Sequence, residues 1–210
     1  MTTAVAGVHD APPRLSWRVA GLLALIGVPT VLGLVVRHIA TRSLVIALFH
    51  YSADRFVHGA VWTLVLSGLL PPNPNNVGPT TIVMTGVLVP YVLLRGPWRA
   101  VGRFLAGHVV ATLAVAALVL PAAALGSGEA ATVARTPDFG VSAGLAAVAG
   151  AMVIVLWRRQ GPIAGGVLLA GVVGLFAVRF LTTASLGHHL AESEHVIAAA
   201  VGLVLERRSR

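Results

Sequence analysis

The chain has 210 residues, of which 57% are apolar and only 10% are charged, against roughly 25% charged in a soluble domain. That shortfall excludes a water-exposed globule and points to one helical bundle in a bilayer. The formal charge of +8 comes from arginines dispersed at the ends of apolar runs, which suits anchoring at a membrane surface rather than nucleic-acid binding.

Cysteine is absent, which removes disulfides and thiolate metal sites from consideration. All fifteen basic residues are Arg. With abundant Ala, Gly and Val, this composition suggests a GC-rich bacterial genome and hence the inner (plasma) membrane of a bacterium.

In chain order, residues 1–16 are polar, contain Pro12 and Pro13, and read as a flexible tail rather than a signal peptide. A membrane-crossing helix needs about 20 mostly apolar residues. Residues 19–36 meet this. Residues 77–94 meet it with Pro79 near the start and Pro90 inside. Residues 104–125 do so with His108 as the polar exception, and residues 139–157 do so cleanly. Residues 163–183 qualify with Arg179 near one end. The last run, 186–205, is apolar only from Val196 onward, because its first half carries His188, His189, Glu192, Glu194 and His195.

Residues 43–76 differ from the spans around them. Their apolar stretches, 44–49 and 61–70, are each too short to cross and are divided by His50, Asp54, Arg55 and His58. The run from Pro71 to Asn76 is rich in turn formers. This reads as a structured loop at the membrane surface, with Trp62 at headgroup level; a seventh, interrupted span is the alternative. With six spans, ten arginines fall on the side of the two termini and five on the other. The positive-inside rule then puts both termini in the cytoplasm and the large loop outside. The expected layout is a tail (1–16), a transmembrane domain (17–206) and a basic cytoplasmic end (207–210).

Polar groups at membrane depth are costly and mark candidate sites. Ser142 lies in Gly140-Val141-Ser142-Ala143-Gly144 at the start of the fourth span. Its bland reading is a small-residue packing face, with the hydroxyl bonded one turn back. His195 opens the apolar half of the sixth span, where a lone His is ordinarily a partly solvated polar group. Together they allow a hydroxyl nucleophile and an imidazole base, since both sit near the outer ends of their helices. His108 stands on the inner half of the third span. His188, Glu192 and His195 share one helix face and offer a metal site as a further alternative, without a matching carboxylate motif on a second helix. Asp138 is placed to cap the fourth helix.

The ordered set of motifs resembles the rhomboid family of intramembrane serine proteases. Gly140-Val141-Ser142 is similar to the family's Gly-x-Ser-Gly on the fourth span, and Gly150 matches a glycine used there for tight packing. His195 and Gly202 match the first and last positions of the sixth-span His-x-x-Gly-x-x-x-Gly. Residues 61–69 resemble the Trp-Arg region of the first external loop. The resemblance implies an all-α, six-span bundle with a structured first external loop. It also implies a Ser142–His195 dyad without cofactor or metal, acting on single-span membrane proteins. Gly140 and Ala143 would flank the oxyanion site, and Gly150 and Gly202 would support packing. The pattern departs at Ala143, Ala198 and Thr63, at Ala146 where an aromatic packs on the catalytic His, and at the missing second-span His-x-x-x-Asn. In that region stand only Thr80, Thr81 and Thr85. Loss of one oxyanion donor costs roughly 10²–10³ in rate, so an inactive rhomboid-like protein that binds transmembrane helices is the second expectation.

Overall fold

The computed structural model describes residues 14–38, 42–71, 74–138, 140–182 and 184–209. Ten α-helices run through them: α1 Arg14–His38, α2 Arg42–Phe49, α3 Ala53–Val57, α4 Thr63–Leu66, α5 Val77–Arg95, α6 Pro97–Ala124, α7 Gly128–Arg135, α8 Val141–Gln160, α9 Pro162–Leu181 and α10 Leu186–Arg208. Five of them, α1, α5, α6, α8 and α9, are long and apolar enough to cross a bilayer. Of the expected tail, residues 1–13 lie outside the described residues, while Arg14 to Ser16 already belong to α1. The sixth expected span, α10, is one unbroken helix of 23 residues, but its polar first half keeps it from qualifying on composition.

The third expected span begins earlier than its apolar run, at Pro97. Gly96 has φ +87° and Pro97 follows at the first helical position, so a single residue reverses the chain between α5 and α6. Only glycine reaches that φ without strain, and proline suits the first helical turn. Gly161 and Pro162 repeat the device between α8 and α9, with φ +92°. Residues 43–76 do not form a crossing helix. They fold as the short helices α2, α3 and α4 with two 3₁₀ turns, Ser67–Leu69 and Pro74–Asn76.

Helix α8 is the centre of the bundle, with two thirds of its apolar window buried. It packs beside α6 and α10 through residues too small to hold them apart. A Cβ on Gly107 would collide with Ala147, one on Gly150 with the Ala199 carbonyl, and one on Gly202 with the Ala147 carbonyl. Such close approach of backbones is how helices associate where lipid removes the hydrophobic drive. By contrast α9 buries only Gly165, so it lies along the outside of the bundle.

At the C-terminal end of α10, Glu206 is fully buried. It accepts from the Tyr91 hydroxyl at 2.7 Å and from Arg103 Nε at 3.1 Å, and it pairs with Arg95 at 2.5 Å. Arg158 donates to the Arg207 and Ser209 carbonyls at 2.7 and 3.0 Å. The arginines expected as surface anchors thus clamp the end of α10 to α5, α6 and α8. Trp98 and Trp157 are exposed beside them, as interface anchors are.

Candidate functional site

The register of α8 against α10 sets which groups share a depth. Gly150 lies on Ala199 and Ala147 on Gly202, and Arg158 reaches the Arg207 carbonyl. The last turns of α8 and α10 thus meet at one end of the bundle, and the two helices run side by side in the same direction. Carried up to Ser142, these contacts put it level with residues 191–197, the stretch that contains His195. Ser142, Ala146 and Gly150 lie on one stripe of α8, and His195, Ala199 and Gly202 on one stripe of α10. Ser142 is half-buried. Among the described residues no hydrogen bond joins it to His195.

His195 is held from two sides. Phe176 of α9 stacks on its ring, with centroids 5.5 Å apart and planes within 1°. Glu192, one turn earlier on α10, brings Oε2 to 3.4 Å from Nδ1. Glu192 is itself buried and pairs through Oε1 with Arg179 Nε at 2.8 Å. The ring is thus positioned by an aromatic plane and a carboxylate, with its Nδ1 edge turned to Glu192. The aromatic that the resemblance puts at position 146 comes here from α9, and Ala146 packs instead with Ala143, Ala147 and Ala198.

Gly140 and His108 form the other wall. A Cβ on Gly140 would collide with the His108 ring, and Gly68 meets the same ring from the loop. His108 is fully buried, and its Nε2 bonds the Ser67 hydroxyl at 3.1 Å. Its Nδ1 has no hydrogen-bond partner. The Gly140 N–H donates to the Ser67 carbonyl at 3.0 Å. His108 lies in the first half of α6, and because α6 runs well past the start of α8 it meets the first turn of α8 and the 43–76 loop. Thr81 and Thr85 do not supply a substitute for the missing second-span pair. Their hydroxyls donate to carbonyls one turn back, both at 2.8 Å.

Asp138 stands two residues before the N-cap position of α8. The cap position is Gly140, which makes no side-chain cap bond. Asp138 instead forms an antiparallel bridge with Tyr51, its N–H donating to the Tyr51 carbonyl at 2.7 Å and the reverse bond measuring 3.2 Å. Its carboxyl lies near that of Glu194, which accepts from the Thr112 hydroxyl at 2.5 Å. These groups line a cavity of about 330 Å³ beside α7 and the second half of α6. A second, nearly apolar cleft of about 500 Å³ lies between α9 and α10, beside Phe176 and Glu192.

The metal alternative finds no grouping. His188 bonds Ser185 at 2.7 Å, Glu192 is taken by Arg179, and among the described residues no three His, Cys, Asp or Glu side chains are grouped to hold an ion. Sequence reasoning missed Phe176, Thr112 and Tyr51; the one available signal was a run of polar residues on the first half of α10, which such partners must satisfy. No family model, curated protein or solved structure matches the chain.

Proposed function

We propose that the chain is a rhomboid-like serine protease of a bacterial inner membrane, six-spanning with both termini cytoplasmic, that cleaves single-span membrane proteins. The observation that carries this reading is the double support of His195 by Phe176 and Glu192 at the depth of Ser142. An imidazole whose Nδ1 faces a carboxylate is oriented to use Nε2 as a base. Ser142 Oγ attacks the scissile carbonyl as His195 takes its proton. The C–N bond then breaks, and His195 returns the proton to the leaving amine. Water, activated by the same imidazole, hydrolyses the acyl-enzyme and frees Ser142.

The parts around the dyad suit this chemistry. Helix N-termini carry N–H groups without helical acceptors, and Ser142 is in the first turn of α8. His108 takes the polar wall beside Gly140, where the resemblance has lost its second-span pair. The apolar cleft between α9 and α10 offers a route for a helix arriving from lipid. The test is proteolysis in liposomes that contain a single-span membrane protein. Cleavage that disappears in Ser142→Ala supports the proposal, and cleavage that persists there removes Ser142 as nucleophile.

The missing Ser142–His195 hydrogen bond favours a second reading, a non-catalytic protein that binds transmembrane helices. It predicts that Ser142→Ala leaves co-purification of such helices unchanged and that no product forms with the native chain.

A further inference from the structure

We propose that the end of the bundle where α10 finishes binds the headgroups of anionic phospholipids, a partner selected by charge. This does not depend on peptide-bond chemistry at Ser142.

Charge is divided unequally between the two ends of the helices. Eight arginines stand on the last turns of α5, α8 and α10 and the first two turns of α1 and α6, among the residues whose side chains are described. The one acid among them is Glu206. Contacts tie these segments to one level: Arg18 donates to the Leu93 carbonyl at 2.6 Å, Arg103 reaches Glu206, and Arg158 reaches the Arg207 carbonyl. At the opposite end the signs balance, with Asp54, Glu129, Asp138, Glu192 and Glu194 against five arginines.

The eight arginines divide by what their guanidinium groups hold. Arg95 and Arg103 are committed to Glu206, and Arg18 and Arg158 to backbone carbonyls. Among the described residues, Arg99, Arg159, Arg207 and Arg208 make no ion pair or side-chain hydrogen bond. Arg99 is half-buried and the other three are exposed. Like charges gathered on one surface repel one another and raise the local concentration of anions.

The surroundings select a lipid over a soluble anion. Trp17, Trp98 and Trp157 are exposed at the same end, and indoles sit at headgroup level in a bilayer. The apolar faces of α1 and α9 begin beside them, with Leu23 and Ile163 exposed. The guanidinium groups therefore lie at the height of lipid phosphates, whose oxygens match their forked N–H donors. A phosphatidylcholine headgroup carries its own cation, which offsets the attraction. Phosphatidylglycerol brings a net negative charge, which gains about fivefold in affinity for each arginine near the surface.

The test is tryptophan quenching by lipids brominated in their acyl chains, with the full chain in bilayers and carrying Trp62→Phe. That change leaves the three indoles of this end as reporters. At low salt, brominated phosphatidylglycerol should be favoured over brominated phosphatidylcholine at least about tenfold. In roughly 1 M salt, where charges are screened beyond about 3 Å, the preference should fall to within about twofold. Arg99→Gln, Arg159→Gln, Arg207→Gln and Arg208→Gln combined should give the same fall at low salt. Arg37→Gln with Arg135→Gln, at the opposite end, should leave the preference in place. Equal quenching by the two lipids, or a preference that survives the fourfold variant, would overturn the proposal. So would loss of the preference on adding inorganic phosphate or a short single-stranded RNA at constant ionic strength, because the occupant would then be a soluble anion. The salt series uses the native arginines, so a preference that high salt leaves unchanged overturns the proposal even where the fourfold variant does not fold.

Discussion

Phe176 lies flat on His195, the ring centroids 5.5 Å apart and the planes within 1° of parallel. The stack fixes the imidazole from α9, a helix otherwise loosely attached to the bundle. Aromatic stacking contributes about 0.5–1.5 kcal/mol beyond the area it buries. Phe176→Leu keeps the apolar bulk and removes the plane. It should lower the proteolytic rate about two- to tenfold with little change in thermal stability, read by cleavage kinetics and by unfolding in detergent.

Glu192 acts on the same ring through Nδ1 and is held by Arg179. Glu192→Gln should reduce the rate more than it reduces folding. The expected loss is about 10²-fold, the lower end of the general acid–base contribution. The pH profile of cleavage separates orientation from packing: an orienting carboxylate changes the apparent base pKa, and a packing role leaves the profile in place.

The glycines between α8 and α10 let the two helices approach closely. A Cβ on Gly202 would meet backbone, which cannot swing aside, whereas Gly171 has nothing within 4 Å. Gly202→Val should cost at least about 1–3 kcal/mol of stability, and Gly171→Ala should be neutral or slightly stabilising. Thermal unfolding of the two variants checks this directly.

Tyr51 gives a prediction in alkali. Its phenol is pushed up to about 12 in the folded chain, first by burial and then by Asp138 and Glu194, from about 10 when unfolded. Above pH 10 the unfolded chain loses this proton before the folded one does. The stability from this group is therefore complete below pH 10 and falls as pH rises toward 12. The difference in tyrosinate absorbance between the native chain and Tyr51→Phe should appear only near pH 12.

Much of this was readable from residue order. Apolar runs of span length located α1, α5, α8 and α9, because a bilayer tolerates little else. The start of α6 was hidden, since Arg99 and Arg103 interrupt the apolar run, and Arg103 is held by Glu206, 103 positions away. His108 was visible as a misplaced polar residue, but its depth depends on how far α6 overshoots α8, which no local pattern encodes. Asp138 looks like a helix cap because capping is local, while Tyr51, which its backbone bridges, comes from a distant segment. The aromatic at His195 was sought on α8, where the resemblance puts it. Spacing along one helix cannot reveal that a neighbour supplies the plane.

The central claim is that Ser142 is made nucleophilic by His195, and labelling of the purified chain with a fluorophosphonate tests it most directly. The account predicts one adduct, mapped by mass spectrometry to Ser142, absent in Ser142→Ala and slowed about 10²–10⁴-fold in His195→Ala. A folded native chain that takes up no probe, or a Ser142→Ala chain that still reacts, would contradict it.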